Sequence, residues 1–302
     1  MKRILLLGRD GQVGWELQRS LAPLGSVIAL GRAEADLSQL VQLGRIVRRE
    51  APDLIVNAAA YTAVDKAESE PELTMTVNGH AVGVLAEEAK KLGALLVHYS
   101  TDYVFDGSKQ DPYVEDDPPN PLSVYGRTKL EGERAIQATG CRHLIFRTSW
   151  VYAARGRNFT TTILRLAQER DELKVVADQF GAPTSAELVA DVTALCAISI
   201  MQCPDRFAGA DGIYHLVAAG ETSWHAYARF LVETAAEMGW SLKLRSDAIR
   251  PIATAEYPLP AKRPANSRLA TDKLTKVFGI ELPHWHIHLK RVLEELGAMR
   301  KA

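Results

Sequence analysis

Tyr125 and Lys129 stand four residues apart in SVYGRTKLEGE, residues 123–133, directly after the proline-rich run DDPPNPL. Positions four apart on a helix share a face, with Cβ atoms roughly 5–6 Å apart. TKLEGERAIQA continues with good helix formers, and Pro121 with its neighbours makes a helix start. On such a helix the phenol and the ammonium point the same way. A nearby cation favours the phenolate and lowers a tyrosine pKa from its ordinary value of about 10. The hydroxyl then comes into the range where it can give a proton to a developing alkoxide. The competing reading is a solvated helix face on which the two residues meet incidentally.

A second group of residues suits phosphate. Gly8, Gly11 and Gly14, with Gln12 and Val13 before the last, form G-x-x-G-x-x-G directly after the aliphatic run RILLL. Glycine permits a tight turn, lets the backbone approach a pyrophosphate and allows close helix packing, while the helix N-terminus offers amide donors. An NAD-preferring site places an acid at the end of the second strand to hold the ribose hydroxyls. This chain has Leu30, Gly31 and Arg32 there. A guanidinium suits a 2′-phosphate, so the reading favours NADPH, with NADH as the alternative. Asp36, followed by Leu37, comes too late for the ribose acid and is placed by the adenine. In NAAAYTAVDKAE the small residues Ala58, Ala59 and Ala60 leave room for a nicotinamide ribose, and Thr62 can reach either ligand. Thr101 of STDYVFDG falls at the end of a fourth strand, where a hydroxyl can bond a substrate carbonyl or simply cap the strand end.

The elements that must position these residues alternate. RILLLG, SVIAL, DLIVNAAA, ALLVHYST and HLIFRTSW are aliphatic strands, separated by the helical stretches GQVGWELQRSLAPLG, SQLVQLGRIVRREA (Ser38 as N-cap), HAVGVLAEEAKKLG and the Tyr125 helix. Strands apolar throughout argue for a parallel sheet covered on both faces. The expected fold is α/β, a Rossmann-like doubly wound sheet over residues 1–150, with ligands at the carboxyl ends of its strands. Beyond residue 150 loops rich in Gly, Pro and Asn separate further helices, which predicts a smaller C-terminal substrate-binding lobe over 151–302, with 178–202 returning to the large domain.

At 302 residues, 47% hydrophobic and 24% charged, the chain is large enough for a core and a second lobe. A formal net charge of −1 provides no field for nucleic acid or a membrane surface, and the apolar runs are too short to span a bilayer. MKRILLLG begins like a signal peptide, but GRDGQVG interrupts it. Three cysteines without C-x-x-C fit a reducing compartment, so the cytoplasm is expected. HWHIH, with His284, His286 and His288, is read as a solvated irregular segment rather than a transition-metal site.

The glycine-rich turn, the strand-four hydroxyl and Y-x-x-x-K appear in the order found in extended short-chain dehydrogenases/reductases, which the chain resembles. GRDGQVGWELQ, NAAAYTAVDKAESEPE, YSTDYVFDG, YGRTKLEGE, FRTSWVY, DQFGAPT and RPANSRL, spread over residues 8–268, narrow the resemblance to the dTDP-4-dehydrorhamnose reductase family. That resemblance implies reduction of the C4 ketone of dTDP-4-dehydro-L-rhamnose to dTDP-L-rhamnose. It implies Tyr125 as proton donor, Lys129 on the nicotinamide ribose and Thr101 polarising the ketone. It further suggests Thr62, Val64, Asp102, Tyr103 and Trp150 around the sugar, and Arg263, Asn266, Ser267 and Arg268 at the dTDP end. Some members of the family form a dimer bridged by Mg²⁺, and the matching positions are Glu16, Glu187 and Glu295. The alternatives are a related sugar-nucleotide epimerase, a reductase forming the talose epimer, and a non-catalytic NADP-binding regulatory subunit. Retention of Thr101, Tyr125 and Lys129 together favours an enzyme.

Overall fold

A computed structural model describes residues 1–299, so the last three residues of the expected lobe lie outside the described residues. Six parallel strands form the central sheet: β1 Lys2–Leu7, β2 Gly25–Leu30, β3 Leu54–Asn57, β4 Leu95–Thr101, β5 His143–Thr148 and β6 Gly212–His215. Their spatial order is β2-β1-β3-β4-β5-β6. Side chains alternate across a strand, and here both faces are apolar. Ile4, Leu6, Leu54, Val56, Val97 and Phe146 enter one core, and Leu5, Leu7, Ile55, Leu96 and Ile145 the other.

Helices α1 Gln12–Leu21, α2 Leu40–Glu50, α3 Ala81–Leu92 and α4 Val124–Thr139 follow β1 to β4 in turn. The remaining principal helices are α5 Phe159–Glu169, α6 Ala186–Gln202, α7 Trp224–Glu237, α8 Asp272–Phe278 and α9 Trp285–Met299. One face of the sheet carries α2, α3 and α4; the other carries α1 and α6, which pack side by side. This second core runs without a break into α7 and α9 through Tyr227, Leu231, Trp285 and Leu289.

Several boundaries differ from expectation. Strand β6 lies beyond residue 150 and outside the 178–202 stretch expected to return to the large domain, yet it pairs with β5, Tyr214 opposite Phe146. Helix α2 begins after Gln39 rather than Ser38, because Asp36 Oδ1 takes the Ser38 amide at 2.9 Å and makes a turn there. HWHIH is not irregular: it opens α9, and His286 lies flat on Phe230 with ring centroids 3.9 Å apart.

The order of strands reverses at β1, whose neighbours β2 and β3 lie on opposite sides, so a crevice opens between the ends of β1 and β3. Gly8 turns the chain there at φ +86°, and a Cβ on it would fall 2.7 Å from the Ala59 nitrogen. The catalytic-helix candidate α4 is locked to the sheet by an ion pair, Arg147 of β5 to Glu133 at 2.6 and 2.9 Å, with side chains only 2% and 1% exposed. Removing one partner of a buried pair strands the other charge, whereas replacing both by apolar groups is often neutral. Arg147→Met alone is expected to cost roughly 3–5 kcal/mol, and Arg147→Met with Glu133→Leu much less. Urea unfolding of the two variants checks this, and equal losses would count against a stranded charge.

Candidate active site

The crevice widens into a cleft of about 710 Å³ lined from one end to the other by the sequence-predicted residues. Gly8, Gly11, Gln12 and Val13 form one end with Gly31, Arg32, Asp36 and Leu37; Ala58, Ala59, Ala60, Thr62 and Val64 follow; Thr101, Asp102, Tyr103, Tyr125, Lys129 and Trp150 close the other. Gly14 sits beneath the turn, where a Cβ would meet the Gly8 oxygen at 2.0 Å. No side chain caps α1 at Gly11, so its first amides face the cleft end without a side-chain acceptor. The hydroxyls of Ser100 and Thr148 are buried on the cleft wall without a partner. These features fit an extended dinucleotide: a glycine cradle for its diphosphate, free amides behind it, and polar atoms awaiting acceptors or donors.

Helix α4 is set from its first turn. Ser123 Oγ accepts the Gly126 amide at 3.1 Å, and Glu68 accepts the Val124 amide at 2.7 Å. Gly126 admits the 102–104 turn, since a Cβ there would lie 2.2 Å from the Tyr103 oxygen. Asn78, fully buried, holds both the Tyr61 amide and carbonyl (2.9 and 3.1 Å) and donates to Thr128 at 3.3 Å, tying the 58–62 loop to α4.

The chemistry-bearing groups then meet. Lys129 is 2% exposed. Its Nζ donates to the Tyr99 carbonyl at 2.5 Å and sits 3.1 Å from His98 Nε2. His98 in turn stands 3.2 Å from Asn57, whose Oδ1 accepts the Ala59 amide. Burial brings the Lys129 ammonium down to about 8, with Glu133 pulling the other way. Burial, then the Lys129 charge, holds His98 well below the ordinary histidine range, so it is neutral. Thr101 Oγ1 donates to Asp102 Oδ1 at 2.8 Å and accepts the Tyr103 amide at 3.2 Å. Burial raises the Asp102 carboxyl to about 6 against the pull of Ser267 and Thr101.

One expectation is corrected. The Tyr125 phenol is not lowered by Lys129: burial first, and the Asp102 charge second, raise it to about 12, with the Thr101 hydroxyl opposing. The ammonium is directed to the sheet carbonyl and His98 rather than to the phenol. Tyr103 meets the Tyr125 ring edge-on at 5.6 Å.

Trp150 has a left-handed backbone, φ +48°, a conformation costing a non-glycine residue about 1–3 kcal/mol. Its indole stacks on Trp224 of α7 at 3.5 Å, and Gly181 clears its edge, where a Cβ would lie 2.8 Å from the ring. Trp224, Tyr227, Phe159, Asn158, Arg157, Tyr61 and His98 escaped the sequence reading, although the first six line or flank the cleft. Only the position of His98 in β4, a polar residue amid ALLVHYST, signals it in sequence.

The four residues assigned to the dTDP end lie outside the cleft lining. Arg263 closes on Asp65 at 2.7 and 3.0 Å. Asn266 spends its amide on the carbonyls of Lys109 and Asp111 (2.7 and 2.9 Å) and its oxygen on Arg268. Arg268 pairs with Glu221 at 3.0 Å, while Ser267 reaches Asp102. The three glutamates of the magnesium bridge expected between two chains lie near one another in this one, with arginines beside two of them. Glu187 is closed into a fork with Arg291 at 2.7 and 3.1 Å, and Glu16 faces Arg19 at 3.6 Å. Glu187 and Glu295 lie near enough to push the Glu16 carboxyl upward after burial, yet among the described residues no group of His, Cys, Asp and Glu is gathered to hold a metal.

A parallel doubly wound sheet, a glycine turn at its switch point and a Tyr/Lys pair beside a strand-four hydroxyl define a short-chain dehydrogenase/reductase-type oxidoreductase. The family described as RmlD substrate binding domain matches residues 1–298. The dTDP-4-dehydrorhamnose reductase of Burkholderia thailandensis is 54% identical over 94% of this chain and 95% of its own, and that of Escherichia coli K12 is 51% identical over 97% of each. The crystal structure of the Bacillus anthracis dTDP-4-dehydrorhamnose reductase in complex with NADP superposes with a TM-score of 0.86 at 31% identity, covering 97% of this chain and 99% of the other. The chain belongs to the dTDP-4-dehydrorhamnose reductase family.

The free-site charges set a pH dependence. The ammonium of Lys129 is present below its pKa of about 8 and lost above it, while Tyr125 stays protonated. kcat/KM, which reports groups of the free enzyme, is therefore expected to fall on the alkaline side near pH 8. With its Nδ1 protonated, His98 offers Nε2 to the ammonium 3.1 Å away; in that tautomer His98→Leu is expected to shift the limb to lower pH and His98→Gln to restore it. A profile unchanged in both variants would remove His98 from this role.

Proposed function

We propose that this chain reduces the C4 ketone of dTDP-4-dehydro-L-rhamnose with NADPH, forming dTDP-L-rhamnose, the last step of that nucleotide sugar's synthesis. The observation that carries the reading is the convergence of Thr101, Tyr125 and Lys129 on one end of a cleft whose other end is the glycine turn. When bound, the nicotinamide cofactor supplies the hydride; placement and the proton fall to the chain. Gly8 and the amides after Gly11 receive the diphosphate, and Arg32 at the end of β2 favours the 2′-phosphate. Lys129, on the cleft floor, holds the ribose end. Tyr125, protonated at neutral pH, gives its proton to the carbonyl oxygen as charge develops there. Thr101 rotates its proton from Asp102 to the same oxygen, and Trp150 backs the sugar with its ring face.

General-acid assistance contributes about 10²–10⁴-fold. Tyr125→Phe is thus expected to lose a factor of that order in kcat while binding NADPH as before. Following NADPH absorbance with the keto-sugar and identifying the product sugar by NMR checks both the loss and the epimer formed. Near-normal turnover in the variant would exclude Tyr125 as the donor, and a C4-epimeric product would favour the talose-forming reading.

Among the described residues no helix is long and apolar enough to cross a membrane, and the proposed compartment is the cytoplasm. We also propose a homodimer. Its support is the exposure of Trp15, Leu195 and Ile287 on α1, α6 and α9, where α6 packs against α1 and is joined to α9 by Glu187–Arg291. Leu195→Glu is expected to give a lighter species in sedimentation-velocity runs; an unchanged sedimentation coefficient would place the interface elsewhere or leave a monomer.

A further inference from the structure

The exit of β2 carries charges that Arg32 alone does not explain. Gly31 has no side chain, and a Cβ there would fall 2.2 Å from Asp10 Oδ2 and 3.2 Å from Glu34 Oε2. Carboxylates from elsewhere in the chain therefore crowd the volume into which the ribose-binding acid of an NAD-preferring site projects. Glu34 is fixed there from two sides. Its Oε2 accepts the Gly31 amide at 3.0 Å, and its Oε1 meets Arg9 Nη2 at 2.7 Å. Arg9, one residue past Gly8, lays its guanidinium across β2 by donating to the Ala29 carbonyl at 3.1 Å. Arg32 is held much less: it is 81% exposed, with one contact of 3.3 Å to Asp36. The cleft reaches their immediate neighbours, since Asp10, Gly31, Arg32, Ala35 and Asp36 line it, while Arg9 and Glu34 stand next to that lining rather than in it.

A dinucleotide with its diphosphate over Gly8–Gly14 and its adenine by Asp36 must bring its adenosine ribose between Gly31 and Arg32. There a 2′-hydroxyl finds a fixed carboxylate to donate to. A 2′-phosphate finds that same carboxylate repelling it, and two guanidiniums, one of them already engaged. Charge-assisted hydrogen bonds are the strong ones, and an arginine fork suits phosphate.

We propose that Glu34, held by Arg9, is the specificity-determining residue for the cofactor: it supplies from position 34 the ribose acid missing at position 31, so that NADH is accepted, and the 2′-phosphate of NADPH binds by drawing Arg9 away from it. The proposal rests on the cofactor use set out above and refines it. Glu34→Gln keeps an oxygen for the Gly31 amide but removes the charge. Hydrogen bonds to charged groups are worth enough to move affinity by roughly tenfold or more. In this variant kcat/KM with NADH is expected to drop about tenfold while that with NADPH holds or rises. Arg9→Gln is expected to do the reverse, weakening NADPH and sparing NADH. Fluorescence titration of each reduced dinucleotide, without sugar, gives the same contrast in Kd. Equal changes for both cofactors, or none, in a wild-type background that binds them would overturn the role of Glu34 alone. A wild-type chain that binds neither dinucleotide would overturn this role together with the proposed reaction.

Discussion

An ammonium placed at the floor of the cleft, with almost none of its surface in water, governs how the rest of this molecule is built. Burying a lysine charge is costly unless acceptors replace its hydration. Lys129 is given the Tyr99 carbonyl and His98, and the Glu133 carboxylate one turn further along α4 favours its charged form. The β4 carbonyl is within reach only if α4 lies very close to the sheet. Glycine at two positions of the helix admits its other neighbours: a Cβ on Gly126 would strike the oxygen of Tyr103 in the 102–104 turn, and one on Gly132 would lie 2.4 Å from the Asn78 oxygen in the helical segment before α3. The close approach to the sheet also explains why a second buried charge is tolerated nearby, since Glu133 must itself be neutralised, and Arg147 does so from β5. The two buried cations and the one carboxylate between them form a single electrostatic unit joining helix to sheet.

The residues after 150 complete the cleft from above. Trp150 leaves β5 in a backbone conformation that its own side chain disfavours, and the stack on Trp224 supplies the contact that holds it there. Because Trp224 opens α7, whose Tyr227 and Leu231 belong to the same core as the sheet face, the aromatic wall is rigidly referenced to the strands that carry Thr101 and Thr148. Loop 263–268 contributes differently. Its arginines and Asn266 bind Asp65, Lys109, Asp111 and Glu221, while Arg263 also reaches Tyr103 and Ser267 the acid Asp102. This loop fastens the edge of the site rather than lining it.

What the sequence revealed follows from the range of each interaction. β1 to β5 were legible because strands covered on both faces carry apolar runs that do not alternate, and the glycine turn because its requirement is local. β6 was not, since GIYH offers four residues without a distinctive period and joins the sheet through pairing with β5, a contact 68 residues away at Tyr214 and Phe146. The cleft residues on β-strand ends and on α4 were legible from their order along the chain. His98, Asn78 and Trp224 were not, because each acts through a partner brought near only by tertiary packing: His98 through Lys129, Asn78 through Tyr61 and Thr128, Trp224 through Trp150. The same limit produced the misreading of the phenol. Helical spacing correctly put Tyr125 and Lys129 on one face, but spacing says nothing of which acceptor takes the ammonium or how deeply the ring is enclosed.

That misreading bears on how the proton is transferred. A phenol at about 12 is a weaker acid than free tyrosine, which at first sight argues against a proton donor. The comparison that matters is with the acceptor. An alkoxide forming from a ketone is the conjugate base of an acid about as weak as water, roughly 15.7. Transfer from a phenol at about 12 to the completed alkoxide is downhill, and to the neutral ketone it is unfavourable. In the proposed reaction, enclosure keeps Tyr125 protonated until charge develops on the substrate oxygen. A phenol lowered towards neutrality by a touching ammonium would be partly ionised at rest, and that fraction would have no proton to give. Directing Lys129 to the sheet carbonyl instead leaves its charge close to the site without discharging the donor.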